Sequence, residues 1–319
     1  LSDYIDERTL DGGNLAAGVL TGVLTAVVFG AGGYLLIRDD LGAMGVVLFL
    51  LLPALTGFAT AIVAKRRNIL IASLILGLLF CTAILVAIGA EGYVCVLMSA
   101  PLIAVGLAFG ALFGWLFRTR VIDKSPHATT LTLLALLVLP GLLMGANSAE
   151  RESRRTLRTQ TVTDVLLLDT SPESIWNGLK SMDHIEANKP FLMKIGLPVP
   201  VSCKTEGEGL GGKRTCYFES GYIEEKIVEW NPPNSMKFEI TASDVPGRPW
   251  LTFKDASYEI RQDQVHTTVT RNTTIISRLS PAWYWKRLEA LGVHTEHRYL
   301  FEALEQKFSK GKIERQQTK

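Results

Sequence analysis

The sequence predicts a membrane α-helical bundle of about five spans, followed by an α+β domain whose curved antiparallel sheet wraps a long C-terminal helix. Three observations predict it. Charge is partitioned: residues 15–146 hold 7 of the 33 Lys/Arg and 4 of the 31 Asp/Glu of a 319-residue chain with mean hydropathy +0.22. Within that stretch lie apolar runs of roughly 20 residues, the length needed to cross about 30 Å of hydrocarbon. Beyond residue 160 the apolar pattern shortens into strand-like runs between turn residues and closes on one long stripe of helical period. This partition excludes a single globular enzyme, a disulfide-dense secreted module and a disordered chain. A net charge of +2 with no basic run longer than Lys65–Arg67 leaves nothing for a nucleic-acid backbone to bind.

Residues 1–14 form an N-terminal tail with four acids against one Arg, which is not the basic leader of a cleavable signal, so the first span is expected to stay as an anchor. The bundle covers 15–146, with spans at about Leu15–Ile37, Leu41–Ala64, Ile69–Ala90, Gly92–Phe117 and Ala128–Ala146. Gly18, Gly22, Ala26 and Gly30 in the first span, and Gly106, Gly110 and Gly114 in the fourth, make flat stripes that let helix backbones approach closely. Such stripes serve packing within one bundle or a homodimer. Glu91 is the one acid with the makings of an ion path, and its place at the end of a span reads as interfacial. Five spans place seven Lys/Arg on the N-terminal side and five on the other, a weak lean toward an extracytoplasmic C-terminal domain in the cytoplasmic membrane of a bacterium.

Residues 147–160 read as a basic linker at the membrane surface. The next element, Thr161–Leu168, is β-rich, and Ser171-Pro172-Glu173 then signals a helix start, Ser171 capping and Pro172 in the first turn. Six strand-like runs follow: Val199–Thr205, Arg214–Glu219, Tyr222–Trp230, Met236–Thr241, Leu251–Ile260 and Val265–Ser277. Short turns between them argue for an antiparallel meander. From Pro281 to about Phe308, the residues Ala290, Val293, His297, Leu300, Leu304 and Phe308 recur in steps of three and four, so one helix face must lie on the sheet. A strand, short helices, a curved sheet and a long gripping helix describe the helix-grip architecture over 161–308, with 309–319 as a polar tail.

On these residues the domain resembles the SRPBCC superfamily (START, Bet v 1-like, polyketide cyclase/dehydrase and lipid-transport proteins). The resemblance rests on Ser171-Pro172-Glu173-Ser174-Ile175-Trp176 after a strand, on Gly207-Glu208-Gly209-Leu210-Gly211-Gly212-Lys213-Arg214, and on Glu224 to Trp230-Asn231-Pro232-Pro233. The whole chain is similar to a bacterial subgroup in which membrane spans precede this domain. Glu91, Gly92, Cys95, Met98 and Pro101 match one of its patterns, and Pro281, Tyr284, Trp285, His294 and His297 another. The resemblance implies a cavity for an apolar ligand, in a superfamily that hosts carriers, enzymes and regulators alike.

Several constellations bear on chemistry. His294 and His297 lie within one helical turn; a metal would need a third ligand, for which the Asp183, His184 and Glu186 cluster is the nearest source, and a satisfied core histidine is the simpler reading. Cys203 and Cys216 flank a turn at nearly equal offsets, within disulfide range across a hairpin in an oxidising compartment and plain thiols otherwise. The run Gly207–Gly212 looks like a nucleotide fingerprint, but strands follow it, so a hairpin turn is expected. Trp283, Tyr284 and Trp285 either pack at the helix start, line a pocket mouth or meet the bilayer interface. No nucleophile motif, metal or cofactor is implied. The expected cavity residues are His297, His294, Trp176, Trp230, Glu224 and Tyr284, and the expected activity is binding of an apolar small molecule or lipid beside the bilayer. The rivals are a cyclase- or hydrolase-type enzyme using His or Glu for proton transfer, and a ligand sensor signalling through the bundle.

Overall fold

The structure, a computed structural model, describes residues 2–37, 45–87, 93–153, 157–180, 182–245 and 251–317, without the side chains of 2–14, 85, 152–153 and 309–317. Glu91 and Gly92 lie outside the described residues. The chain divides into two compact units, Leu1–Thr156 and Leu157–Lys319.

The first unit is all helix: α1 Ser2–Ile37, α2 Val47–Val63, α3 Arg67–Ala87, α4 Tyr93–Ile122 and α5 Ala128–Ser153. Four of these contain segments long and apolar enough to cross a membrane; α2, at 17 residues, is shorter than the span expected there. Both its ends are capped by side chains. The Glu150 carboxylate accepts from the Val46 and Val47 amides at 2.8 and 3.0 Å, and Arg118 donates to the Ile62 carbonyl at 2.6 Å. An acid at the N-terminus and a cation at the C-terminus both match the helix dipole and stop the helix where they bind. Inside α2, Thr56 and Thr60 donate their hydroxyls to the carbonyls four residues earlier, at 2.9 and 2.8 Å, so both are buried with their polar groups satisfied.

Both small-residue stripes are consumed within the chain. A side chain at Gly18, Gly22 or Gly30 would meet Ile69, Ser73 or Cys81 of α3, and Gly77 of α3 lies in turn against Ala26. A side chain at Gly106, Gly110 or Gly114 would meet the backbone of Leu50, Ala54 or Phe58, at 2.6, 1.8 and 2.7 Å from their carbonyl oxygens. Each stripe therefore packs against a helix of the same chain. The numbers also rise together along each pair, so α1 runs parallel to α3 and α2 parallel to α4. Parallel α1 and α3 require α2 to carry the chain back between them, despite its shortness.

Three expected boundaries move. The N-terminal tail belongs to α1, which begins at Ser2. The 147–160 linker is divided between elements: α5 runs to Ser153, and β1 starts at Arg158 because Arg158 and Gln160 face inward and find partners on the last helix. The polar tail is likewise helical through Gln317.

The second unit is one seven-stranded antiparallel sheet in the order β1-β7-β6-β5-β4-β3-β2, a meander closed by the first strand pairing with the last. The strands are β1 Arg158–Leu168, β2 Pro200–Glu206, β3 Lys213–Phe218, β4 Gly221–Asn231, β5 Ser235–Ser243, β6 Leu251–Gln262 and β7 Thr267–Ser277. Helices α6 Pro172–Lys180 and α7 Phe191–Lys194 lie between β1 and β2, and α8 Ala282–Gln317 follows β7. The glycine-rich run is the β2–β3 turn, with Gly209 at φ +94°, a conformation other residues rarely adopt. Cys203 and Cys216 sit opposite each other on β2 and β3 and are joined by a disulfide. The architecture is consistent with a helix-grip fold.

Candidate functional site

Alternation along each strand sends every second residue beneath α8. On β1 these are Val162, Asp164, Leu166 and Leu168; on β7, Val269, Arg271, Thr273 and Ile275. Toward one end the inward residues form the main apolar cluster, including Leu166, Trp176, Ile227, Met236, Ile260, Val269, Leu300 and Leu304. Toward the other, a small cluster joins Val162 and Ile275 to Val293 of α8. Between the two runs a transverse belt of polar and charged groups, and this belt is the candidate site.

At its centre Arg271 donates through one terminal nitrogen to both oxygens of Glu296 on α8, at 2.9 and 3.1 Å, and lies over the Tyr258 ring at 4.9 Å. On β3 and β4, in direct register, Arg214 and Glu225 form a second buried pair at 3.1 Å, with the Arg214 guanidinium over the Phe238 ring at 4.5 Å. Burial pulls the Arg271 guanidinium below its ordinary pKa and pushes the Glu296 carboxyl up, each opposed by attraction to the other. Desolvation is thus the largest single influence on both partners, as expected for ions removed from water. The Nε of Arg214, the Nε of Arg271 and the hydroxyl of Tyr258 are buried donors with no acceptor among the described residues.

The third part of the belt is a carboxylate shared by two histidines. Asp164 meets Nδ1 of His297 at 2.7 Å and Nδ1 of His294 at 2.7 and 2.9 Å. His297, 0% exposed, places its Nε2 2.7 Å from the Thr273 hydroxyl. Burial first, and the nearby Arg271 charge second, lower its pKa to about 3 against the pull of Asp164, so the ring is neutral. The consistent arrangement has Nδ1–H donating to Asp164 and Nε2 accepting from Thr273.

The sequence-predicted residues separate accordingly. His297 and His294 converge, but on Asp164 and not on the 183–186 cluster, where His184 pairs with Glu186 in solvent. Among the described residues no group of three metal-ligating side chains forms. Trp176 and Trp230 meet edge to face at 4.8 Å between centroids, as part of the main apolar cluster. Glu224 faces outward to Lys213 at 2.9 Å; its neighbour Glu225 takes the inward position, because Ile223, Glu225 and Ile227 share one face of β4. Tyr284 stands between Trp283 and Trp285 at the start of α8, away from the belt. Asp164, Arg271, Arg214, Glu225, Tyr258 and Glu296 were not singled out from the sequence. The available signal was a charge at an apolar register position, such as Asp164 between Val162 and Leu166.

No protein-family model matches the sequence, and no curated protein matches it. Among solved structures the chain is similar to a protein from Mesorhizobium loti (14% identity, 47% of this chain and 98% of that one, TM-score 0.32). It is also similar to the Aha1 dimer from Colwellia psychrerythraea (16%, 46% and 96%, 0.31) and to ginseng major latex-like protein 151 from Panax ginseng (11%, 45% and 95%, 0.30).

Proposed function

We propose that this chain is a membrane-anchored binding protein whose helix-grip domain, of SRPBCC type, takes an apolar small molecule or lipid between α8 and the concave sheet for transport or sequestration. The observation that supports it is the belt: buried donors without acceptors border a large apolar cluster, the pairing of surfaces that binding sites for apolar ligands with one polar group use. Tethering keeps such a site beside the bilayer in which the ligand dissolves. Lipids co-purifying with the detergent-extracted chain, identified by mass spectrometry, test this. Tyr258→Phe removes the orphan hydroxyl at constant shape and is expected to leave the fold intact while cutting retained ligand several-fold. Equal lipid content in both proteins, or none in either, overturns the reading.

The proton-transfer alternative is less well supported, because both nitrogens of His297 are engaged and the ring is too weak a base at neutral pH. We further propose an extracytoplasmic domain, because the Cys203–Cys216 disulfide suits an oxidising compartment and five crossings put the two termini on opposite sides. Fusions ending at Thr159 should give active alkaline phosphatase and dark green fluorescent protein. The opposite pattern reverses the topology.

A further inference from the structure

The first three turns of α8, which precede the belt residues Glu296 and His297, carry an exposed pattern that ligand binding does not use. Trp283 is 70% exposed and Leu291 48% exposed, both within the first three turns of the helix. Lys286 and Arg287 are exposed between them, and Arg278 is exposed just before the helix. The only acid from 278 to 295 is Glu289, which is turned inward and bound to Arg158 at 2.7 Å. The pattern is therefore aromatic, apolar and uniformly basic.

Chain length supplies the second argument. From Ser153, the end of α5, to Arg158, the start of β1, there are only five Cα steps, under about 20 Å of chain. The same end of β1 holds the first turns of α8: the Gln160 amide donates to the Lys286 carbonyl at 3.2 Å, and Arg158 binds Glu289. The patch therefore lies at the end of the domain where β1 begins, a few residues in sequence after α5. In the sequence, Arg151, Arg154 and Arg155 lie within the eight residues before β1.

We propose that the Trp283–Leu291 patch docks on the headgroup region of the bilayer that holds the helices, with Trp283 inserted at the interface and Arg278, Lys286 and Arg287 against anionic phospholipid. Indole rings favour that depth, and each cation near an anionic surface adds attraction that salt screens. Tyr284 and the buried Trp285 then serve as the packing base that holds Trp283 outward.

The test uses the full chain in nanodiscs of phosphatidylglycerol and phosphatidylcholine, with and without bromine high on the acyl chains. The emission lost on Trp283→Phe should be roughly halved by the brominated lipid, and raised salt should weaken that quenching. Lys286→Glu/Arg287→Glu, with unchanged near-ultraviolet circular dichroism, should abolish the quenching of this component. A Trp283 component that bromine does not touch overturns the proposal. Should Trp283→Phe not fold, the charge-reversal chain decides: total quenching equal to wild type overturns docking, and reduced quenching supports it. Lipid retention by the inner site is read separately, so either proposal can fail alone.

Discussion

Arg271→Met is expected to destabilise the α+β domain by about 3–5 kcal/mol, the largest single-substitution effect anticipated here, because it strands the Glu296 carboxylate under the sheet. Removing both charges is a different experiment. In Arg271→Met/Glu296→Leu nothing charged is left without its partner, and an apolar pair of similar volume extends the neighbouring clusters, so most of the loss should return. Chemical unfolding of the detergent-solubilised chain, followed by the near-ultraviolet signal of the Trp176–Trp230 pair, measures both. Single and double variants of equal stability would mean that the pair does not interact. The Arg214–Glu225 pair, with both partners buried, should behave similarly.

The second large effect is on pH dependence. His297 has an unfolded pKa near 6.5 and a folded value of about 3, so below pH 6.5 the unfolded chain binds a proton that the folded chain refuses. Stability therefore falls as pH drops from 6.5 toward 3, by up to about 1.4 kcal/mol per pH unit for one proton. Glu296 contributes with the opposite sign: its folded pKa is raised, so the folded state takes up its proton first on acidification. The histidine is isolated by difference. At pH 7.5 His297→Leu should cost about 1–3 kcal/mol, because it leaves the Thr273 hydroxyl and one Asp164 contact without their partner. Near pH 5 the gap between wild type and variant should close or reverse, since only the wild type pays for excluding the proton. A gap independent of pH would show that His297 titrates alike in both states.

The retained Asp164–His294 contact makes this variant informative about ligand as well. It keeps a carboxylate at the belt while removing the buried ring. Lipid retention that survives His297→Leu would assign recognition to Tyr258 and the two arginines.

Local periodicity determined much by itself. Seven strand-like runs became the seven strands to within a few residues at their ends, and the α8 stripe buried His297, because side-chain direction repeats every second residue in a strand and every three to four in a helix. The small-residue stripes likewise announced close helix contacts, whereas the sequence reading chose Glu224 although the alternation on β4 puts Glu225 on the buried face. Only the tertiary structure decided which stripe met which: α1 against α3 and α2 against α4, in parallel, with Glu150 capping a helix more than a hundred residues earlier. It alone also brought Asp164 of the first strand beside Arg271 of the last, and aligned Glu296 and His297 above them. The physical reason is that pairing across a sheet depends on strand order and register, which link residues more than a hundred positions apart. A buried charge is stable only where that distant partner arrives.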